Sequence, residues 1–170
     1  MHTDGVYAVR RKMDHYIIRP MKQSEYGELS SFLYEAIFIP DGVSPPSRDI
    51  ILRPELQVYI ESFGTRKGDI AIAAVLGEKI VGAAWSRIMN DYGHIDDNTP
   101  SLAISMYSEY RGRGIGTALM NALMNELKKA EFKQVSLSVQ KANFAVKLYL
   151  KTGFLVIAEN EEEYIMLRDL

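Results

Sequence analysis

Residues 108–130 read SEYRGRGIGTALMNALMNELKKA. Glycines stand at 112, 114 and 116, arginines at 111 and 113, and an apolar pattern at helical spacing starts directly after the last glycine. Glycine adopts backbone angles closed to other residues and lets a ligand approach the amides closely. The first N–H groups of a helix lack internal acceptors and carry the positive end of its dipole. A glycine-rich turn entering a helix is therefore an anion cradle, best matched to phosphates. The plainer reading is a tight strand-to-helix turn with two surface arginines, because short glycine motifs alone are weak signals. Two phosphate-binding patterns fail here. Counted from Gly112 or Gly114, the last position of G-x-G-x-x-G falls on Thr117 or Leu119, and no Gly-Lys-Ser/Thr follows as a P-loop needs.

The flanking segments set the cradle in a fold. SLAISMY (101–107) reads as a strand leading into the turn. Downstream, QVSLSV (134–139) is a strand and ANFAVKLYLKTG (142–153) a helix ending at Gly153. FLVIAE (154–159) and EYIMLRDL (163–170) close the chain as a hairpin around NEEE. Upstream, HYIIRP (15–20) is a first strand, and a helix follows over residues 24–38 with Ser24 as its expected cap. IPDGVSPPS (39–47) is dense in turn formers and predicts a loop. RPELQVYIESFG (53–64) predicts a second helix, with Pro54 in its first turn and Gly64 at its end. DIAIAAVLGEKIVGAAWSRI (69–88) is a hairpin turning at LGEK, and YGHIDDNTP (92–100) is a polar connection. The order β-α-α-β-β-β-α-β-α-β-β predicts an α+β fold: a mixed sheet with helices on both faces, rather than an all-parallel doubly wound sheet.

Composition narrows the chemistry. The chain has 170 residues, 47% hydrophobic and 25% charged, with a net charge of −2. That suits one domain with a full core and argues against the clustered basic face of a nucleic-acid binder. With no cysteine, thiol nucleophiles, thiolate metal sites and disulfides are excluded. The three histidines, His2, His15 and His94, share no metal-ligand spacing, so no metal is expected. No apolar run approaches the ~20 residues of a membrane span, and the N-terminus lacks the apolar run of a signal peptide. A cytoplasmic protein is the expectation.

The string Arg111-x-x-Gly114-x-Gly116, between a strand and a helix, resembles motif A of the Gcn5-related N-acetyltransferases (GNAT). VSLSVQKANFAVKLYLKTGF (135–154) is similar to that family's next strand-helix segment, with Asn143, Tyr149, Gly153 and Phe154 at the expected spacing. The resemblance covers residues 15–170 as a single domain and leaves 1–14 as an extension of unknown role. It implies a GNAT-like sheet, mostly antiparallel and splayed at its middle strands, and acetyl-CoA as co-substrate.

The resemblance also implies roles. The pyrophosphate of coenzyme A would lie over the amides of Arg111, Gly112, Arg113, Gly114, Ile115, Gly116 and Thr117. The pantetheine arm would pair with backbone groups of Met106 and Tyr107 like an added strand. The Met106 amide would stabilise the oxyanion as an acceptor amine attacks the thioester directly. Tyr149 would give the leaving thiolate a proton, a phenol of reference pKa near ~10 being close enough to a thiol. A core aromatic is the competing reading of Tyr149. Asn143 would contact pantetheine or phosphate, cap the helix, or both. A non-catalytic acyl-CoA sensor is the alternative function.

The proton acceptor and the substrate are less defined. Many relatives carry a glutamate on one of the splayed strands, where this chain has Ser101 and Ser138. Glu35, His94, Asp96 and Asp97 are candidate bases, beside a water chain or an amine that is already neutral. Tyr34, Phe38, Trp85 and Tyr107 are candidates to line an apolar acceptor pocket, and Glu35, Asp41, Asp96 and Asp97 would favour a cation. The acceptor expected is a small-molecule amine rather than a protein, with neither nucleic acid nor membrane as partner. The edge strands leave a homodimer open.

Overall fold

The computed structural model describes residues 15–170, and the 1–14 extension lies outside them. Seven strands form one sheet: β1 (Ile17–Pro20), β2 (Ile70–Leu76), β3 (Lys79–Arg87), β4 (Ser101–Met106), β5 (Gln134–Gln140), β6 (Leu155–Glu159) and β7 (Glu163–Asp169). Their order across the sheet is β1-β2-β3-β4-β5-β7-β6. Each neighbouring pair is antiparallel except β4 with β5, which run parallel. Four α-helices accompany them: α1 (Leu29–Glu35), α2 (Pro54–Gln57), α3 (Ile115–Lys129) and α4 (Ala145–Lys151). This is the mixed α+β sheet the element order predicts. Among the described residues, no helix is long and apolar enough to cross a membrane.

Both faces of the central strands are covered, which is why β2 and β3 read as near-continuous apolar runs instead of alternating ones. One face carries Ile72, Ala84 and Leu102 against Leu119, Leu123 and Leu127 of α3 and Tyr149 of α4. The other packs Ala71, Ala83 and Trp85 against Phe32 and Leu33 of α1. In α3 the buried leucines recur every four residues, so one stripe faces the sheet. The sheet thus separates a face built by α3 and α4 from a face built by α1 and the α2 segment.

Two local expectations fail. The predicted cap Ser24 caps nothing: a 3₁₀ turn over Gln23–Glu28 comes first, and the Lys22 N–H donates to the Glu25 carboxylate at 2.8 Å. Arg19 pairs with that carboxylate at 2.8 Å and holds it down at about 2. The predicted helix over 53–64 is helical only at Pro54–Gln57 and then runs as turns, with Ser62 at a φ of 49°. Side chains from β3 capture the carbonyls that a continuing helix would use. Trp85 Nε1 donates to Tyr59 O at 3.2 Å, and Arg87 Nη1 donates to Glu61 O at 2.6 Å and Val58 O at 3.3 Å. Tertiary hydrogen bonds outweigh local propensity here.

Candidate active site

The parallel pair β4–β5 is joined at one point, Ser101 opposite Ser136, with Ser136 N–H donating to Pro100 O at 3.0 Å. Beyond it the strands part. On its other side β4 stays paired with β3 through Met106, and Tyr107 N–H donates to Val81 O at 3.0 Å. Backbone groups of successive strand residues point to opposite edges. The alternation therefore turns the amides of Ile104 and Met106 away from β3 and into the gap facing β5. This is an open strand edge inside a sheet, and an extended ligand arm can complete it.

The gap leads to the glycine turn. Gly112 and Gly114 have φ of 74° and 81°, and Gly114 precedes the first residue of α3. A Cβ at either would meet nothing within 4 Å, so backbone conformation is what requires glycine there. Gly116 differs. Its φ is ordinary, yet a Cβ would sit 3.3 Å from Leu148 Cδ2 and 3.4 Å from Met106 Cε, at the seam between α3, α4 and the end of β4. Ala118 N–H donates to Gly114 O at 3.2 Å, which leaves the amides of Ile115, Gly116 and Thr117 in the unpaired first turn. No acidic residue occupies that turn.

The two arginines serve the surroundings of the turn. Arg113 donates to the Tyr16 hydroxyl at 3.0 Å and Glu109 O at 2.8 Å, and its guanidinium lies over the Tyr110 ring. Arg111 reaches Glu35 at the end of α1 at 3.7 Å. The anion-binding capacity of the turn thus rests on its amides.

Across the gap, α4 carries Asn143 at its entry and Tyr149 on its inner face. Asn143 Oδ1 accepts from Ala145 N–H at 2.9 Å just ahead of the helix, whose N-cap position is Phe144, and this leaves the Asn143 amide nitrogen for other partners. Tyr149 is 7% exposed and packs edge-on against Phe154 at 5.9 Å. Its hydroxyl has no hydrogen-bond partner among the described residues, nor is it sealed off like His94 Nδ1. Burial pushes the phenol upward, so it stays protonated at neutral pH.

On the α1 face, the expected acceptor residues scatter. Trp85 is fully buried and belongs to the core. Tyr34 donates to Pro46 O at 2.6 Å, and the Tyr107 ring lies 5.1 Å from that of Phe32. Phe38 is half-buried and Asp41 exposed. Glu35 is engaged by Arg111, and His94 Nε2 lies 3.6 Å from the exposed Asp97. Asp96 accepts from Asn98 N–H, which holds its carboxyl below the usual range. Among the described residues, none of the four candidate bases Glu35, His94, Asp96 and Asp97 hydrogen-bonds to Ser101 or Ser138.

A residue the sequence reading missed does. Asp91 Oδ1 accepts from Ser101 Oγ at 2.9 Å, and Asp91 Oδ2 accepts from the Tyr59 hydroxyl at 3.0 Å. Ser138 on β5 bears on the same phenol and works against its upward shift. Burial raises the Asp91 carboxyl above its ordinary range despite those donors, and burial with the Asp91 charge raises the Tyr59 phenol. In sequence, Asp91 looks like the solvated Asp96 and Asp97. The one local signal is Gly93, where a Cβ would lie 3.1 Å from the β5 backbone at Leu137 and Ser138. It lets the loop lie flat on that strand. Among the described residues no three His, Asp or Glu side chains converge as a metal site.

The parted parallel strand pair and the glycine-rich helix entry give an extended ligand with a phosphate end one continuous path. Residues 38–154 match the family model described as Acetyltransferase (GNAT) family, and the chain belongs to that family. No curated protein matches. Among solved structures, a GNAT acetyltransferase from Streptococcus pneumoniae is 22% identical, with TM-score 0.68 over 92% of this chain and 100% of its own. The PaiA N-acetyltransferase from Thermoplasma acidophilum, solved with coenzyme A, is 19% identical, with TM-score 0.66 over 92% and 99%. YncA from Salmonella typhimurium, solved with its cofactor acetyl-CoA, is 15% identical, with TM-score 0.68 over 92% and 94%. At these identities the likeness is one of fold.

Proposed function

We propose that the protein moves an acetyl group from acetyl-CoA to a primary amine by direct attack within a ternary complex. The observation that carries this reading is the open edge of β4, whose Ile104 and Met106 amides face the gap and lead straight to the turn at Gly112–Gly116. The site fits the co-substrate in two ways. The unpaired amides of Ile115, Gly116 and Thr117 suit a pyrophosphate. The space a Cβ would fill at Gly116 lies beside Met106 and Leu148, where the pantetheine arm would pass.

In this reading the Met106 amide donates to the thioester oxygen as it becomes an oxyanion. The Tyr149 phenol, protonated and without an acceptor among the described residues, donates to the leaving sulfur. Backbone groups of Met106 and Tyr107 hold the arm, and Asn143 offers its side-chain nitrogen beside it. The acceptor approaches from the α1 face and is a small amine. A cytoplasmic setting fits this chemistry. The test is a thermal-shift comparison of acetyl-CoA, CoA, ATP and NAD. A ligand that binds only the native state raises the melting temperature with its saturation. Shifts with acetyl-CoA and CoA alone are expected, and no shift with either would refute the reading. Thiol release with added amines separates the transferase from a non-catalytic acyl-CoA sensor.

A further inference from the structure

An N-acetyltransferase must take a proton from an ammonium acceptor before the nitrogen can attack. Ser101 and Ser138 are the strand residues nearest the parting of β4 and β5 on the α1 face, and neither is a base at neutral pH. Ser101 and Tyr59 converge on one carboxylate beside the gap: Ser101 Oγ donates to Asp91 Oδ1 and the Tyr59 hydroxyl to Asp91 Oδ2. We propose that Asp91 is the carboxylate that receives the acceptor's ammonium and takes its proton, and that Tyr59 and Ser101 position it. This rests on the transferase reading above.

Three features point this way. The Asp91 side chain is half-buried, so it is both desolvated and reachable. Among the described residues no lysine, arginine or histidine forms an ion pair with it. A buried carboxylate is normally paired, because an unpaired buried charge is costly. An ammonium from the substrate would be the missing counter-ion. The position is also right. Ser136 is opposite Ser101, so Ser138 lies level with Ala103, one residue from the gap-facing amide of Ile104. From Ser101 to Met106, whose amide is assigned to the thioester oxygen, is five strand residues, about 16 Å, a span that the acceptor and a chain of waters would cross. The titratable groups that bear on Asp91 are Tyr59 beside it and Glu163 on β7, which acts on Tyr59. Raised by burial, the Asp91 carboxylate is a better base than a solvated aspartate.

The proton balance closes without another reactant. The ammonium gives one proton to Asp91, which passes it to solvent. The neutral amine forms a C–N bond to the thioester carbon, and collapse of the intermediate breaks the C–S bond. The nitrogen's second proton leaves to solvent, the sulfur gains one from Tyr149, and Tyr149 recovers its own from solvent, so one proton is released net. The products are the acetamide and the free thiol of CoA.

The test compares wild type with Asp91→Asn and Asp91→Glu. Thiol release from acetyl-CoA is followed with the fastest of benzylamine, tyramine and putrescine, all ammonium ions at neutral pH, and with hydroxylamine, which is neutral there. The Asn variant should keep the acetyl-CoA thermal shift and KM. It should lose about 100-fold or more in kcat with the alkylamine. Hydroxylamine turnover should stay within a few-fold of wild type, and the alkylamine rate should climb with pH as free amine appears. The Glu variant should recover part of the lost rate. Equal losses with both nucleophiles, or no loss with either, would overturn the assignment. So would a lowered melting temperature with a lost acetyl-CoA shift, which would make Asp91 a structural anchor. An absent acetyl-CoA shift in wild type would overturn the transferase reading itself.

Discussion

Gly116→Ala separates a glycine kept for a ligand from one kept for the fold. Gly116 lies in the first turn of α3 with ordinary helical angles, so nothing in its own backbone demands glycine. Alanine in a helix is favoured over glycine by up to about 1 kcal/mol. Against this, the new methyl would meet Leu148 Cδ2 at 3.3 Å and Met106 Cε at 3.4 Å, both mobile side-chain tips that yield by a few tenths of an ångström. The ligand-free variant should therefore match wild type or gain up to about 1 kcal/mol, read from urea unfolding. Binding should move the other way. The methyl would hold a phosphate or the pantetheine arm off the first-turn amides. A lost charge-assisted hydrogen bond is worth about 1.5–3 kcal/mol, or roughly 10- to 150-fold in acetyl-CoA affinity by calorimetry. Gly114→Ala is the control. It forces a side chain into a φ of 81° and should cost about 1–2 kcal/mol of stability. Wild-type acetyl-CoA affinity in Gly116→Ala would refute the placement of the ligand at this seam.

Two further outcomes follow from the same geometry. Tyr149→Phe removes a hydroxyl with no partner among the described residues, so its melting temperature and acetyl-CoA affinity should hold while turnover falls at least about tenfold; wild-type rates would exclude the acid role. Arg87, fully buried, grips Asp69 through two bonds of 2.8 Å, and the Asp69 side chain is 1% exposed. Burial works against that carboxylate, but the Arg87 fork and the Arg66 and Gly64 amides more than offset it, so its carboxyl lies below the ordinary range. The pair's contribution is therefore present above the unfolded value near ~4 and lost as pH falls through the depressed native one. Arg87→Met should cost about 3–5 kcal/mol at neutral pH, with the deficit shrinking in acid as the stranded Asp69 takes a proton. A loss below about 1 kcal/mol in urea would show that the pair is not coupled as the geometry implies.

The order of elements, the two-faced sheet and the glycine turn were legible in the sequence because each rests on a local rule. Apolar periodicity marks strands and helices, and positive φ demands glycine at 112 and 114. The strand-helix segment with Asn143 and Tyr149 was legible for the same reason. The segment after Gln57 was not. Its helical pattern gives way because Trp85 and Arg87, distant in sequence, take its carbonyls. The parting of β4 from β5 is likewise a tertiary fact: the sequence names both strands, but only the sheet register shows that pairing stops at Ser101 and Ser136. Asp91 is the sharpest case. Three aspartates punctuate one loop, and Gly93, two residues after Asp91, is the one local signal that separates them. The fold buries one between Tyr59 and Ser101 and leaves Asp96 and Asp97 in water. Burial and partners, which arise only when distant segments meet, decide which carboxylate becomes a base.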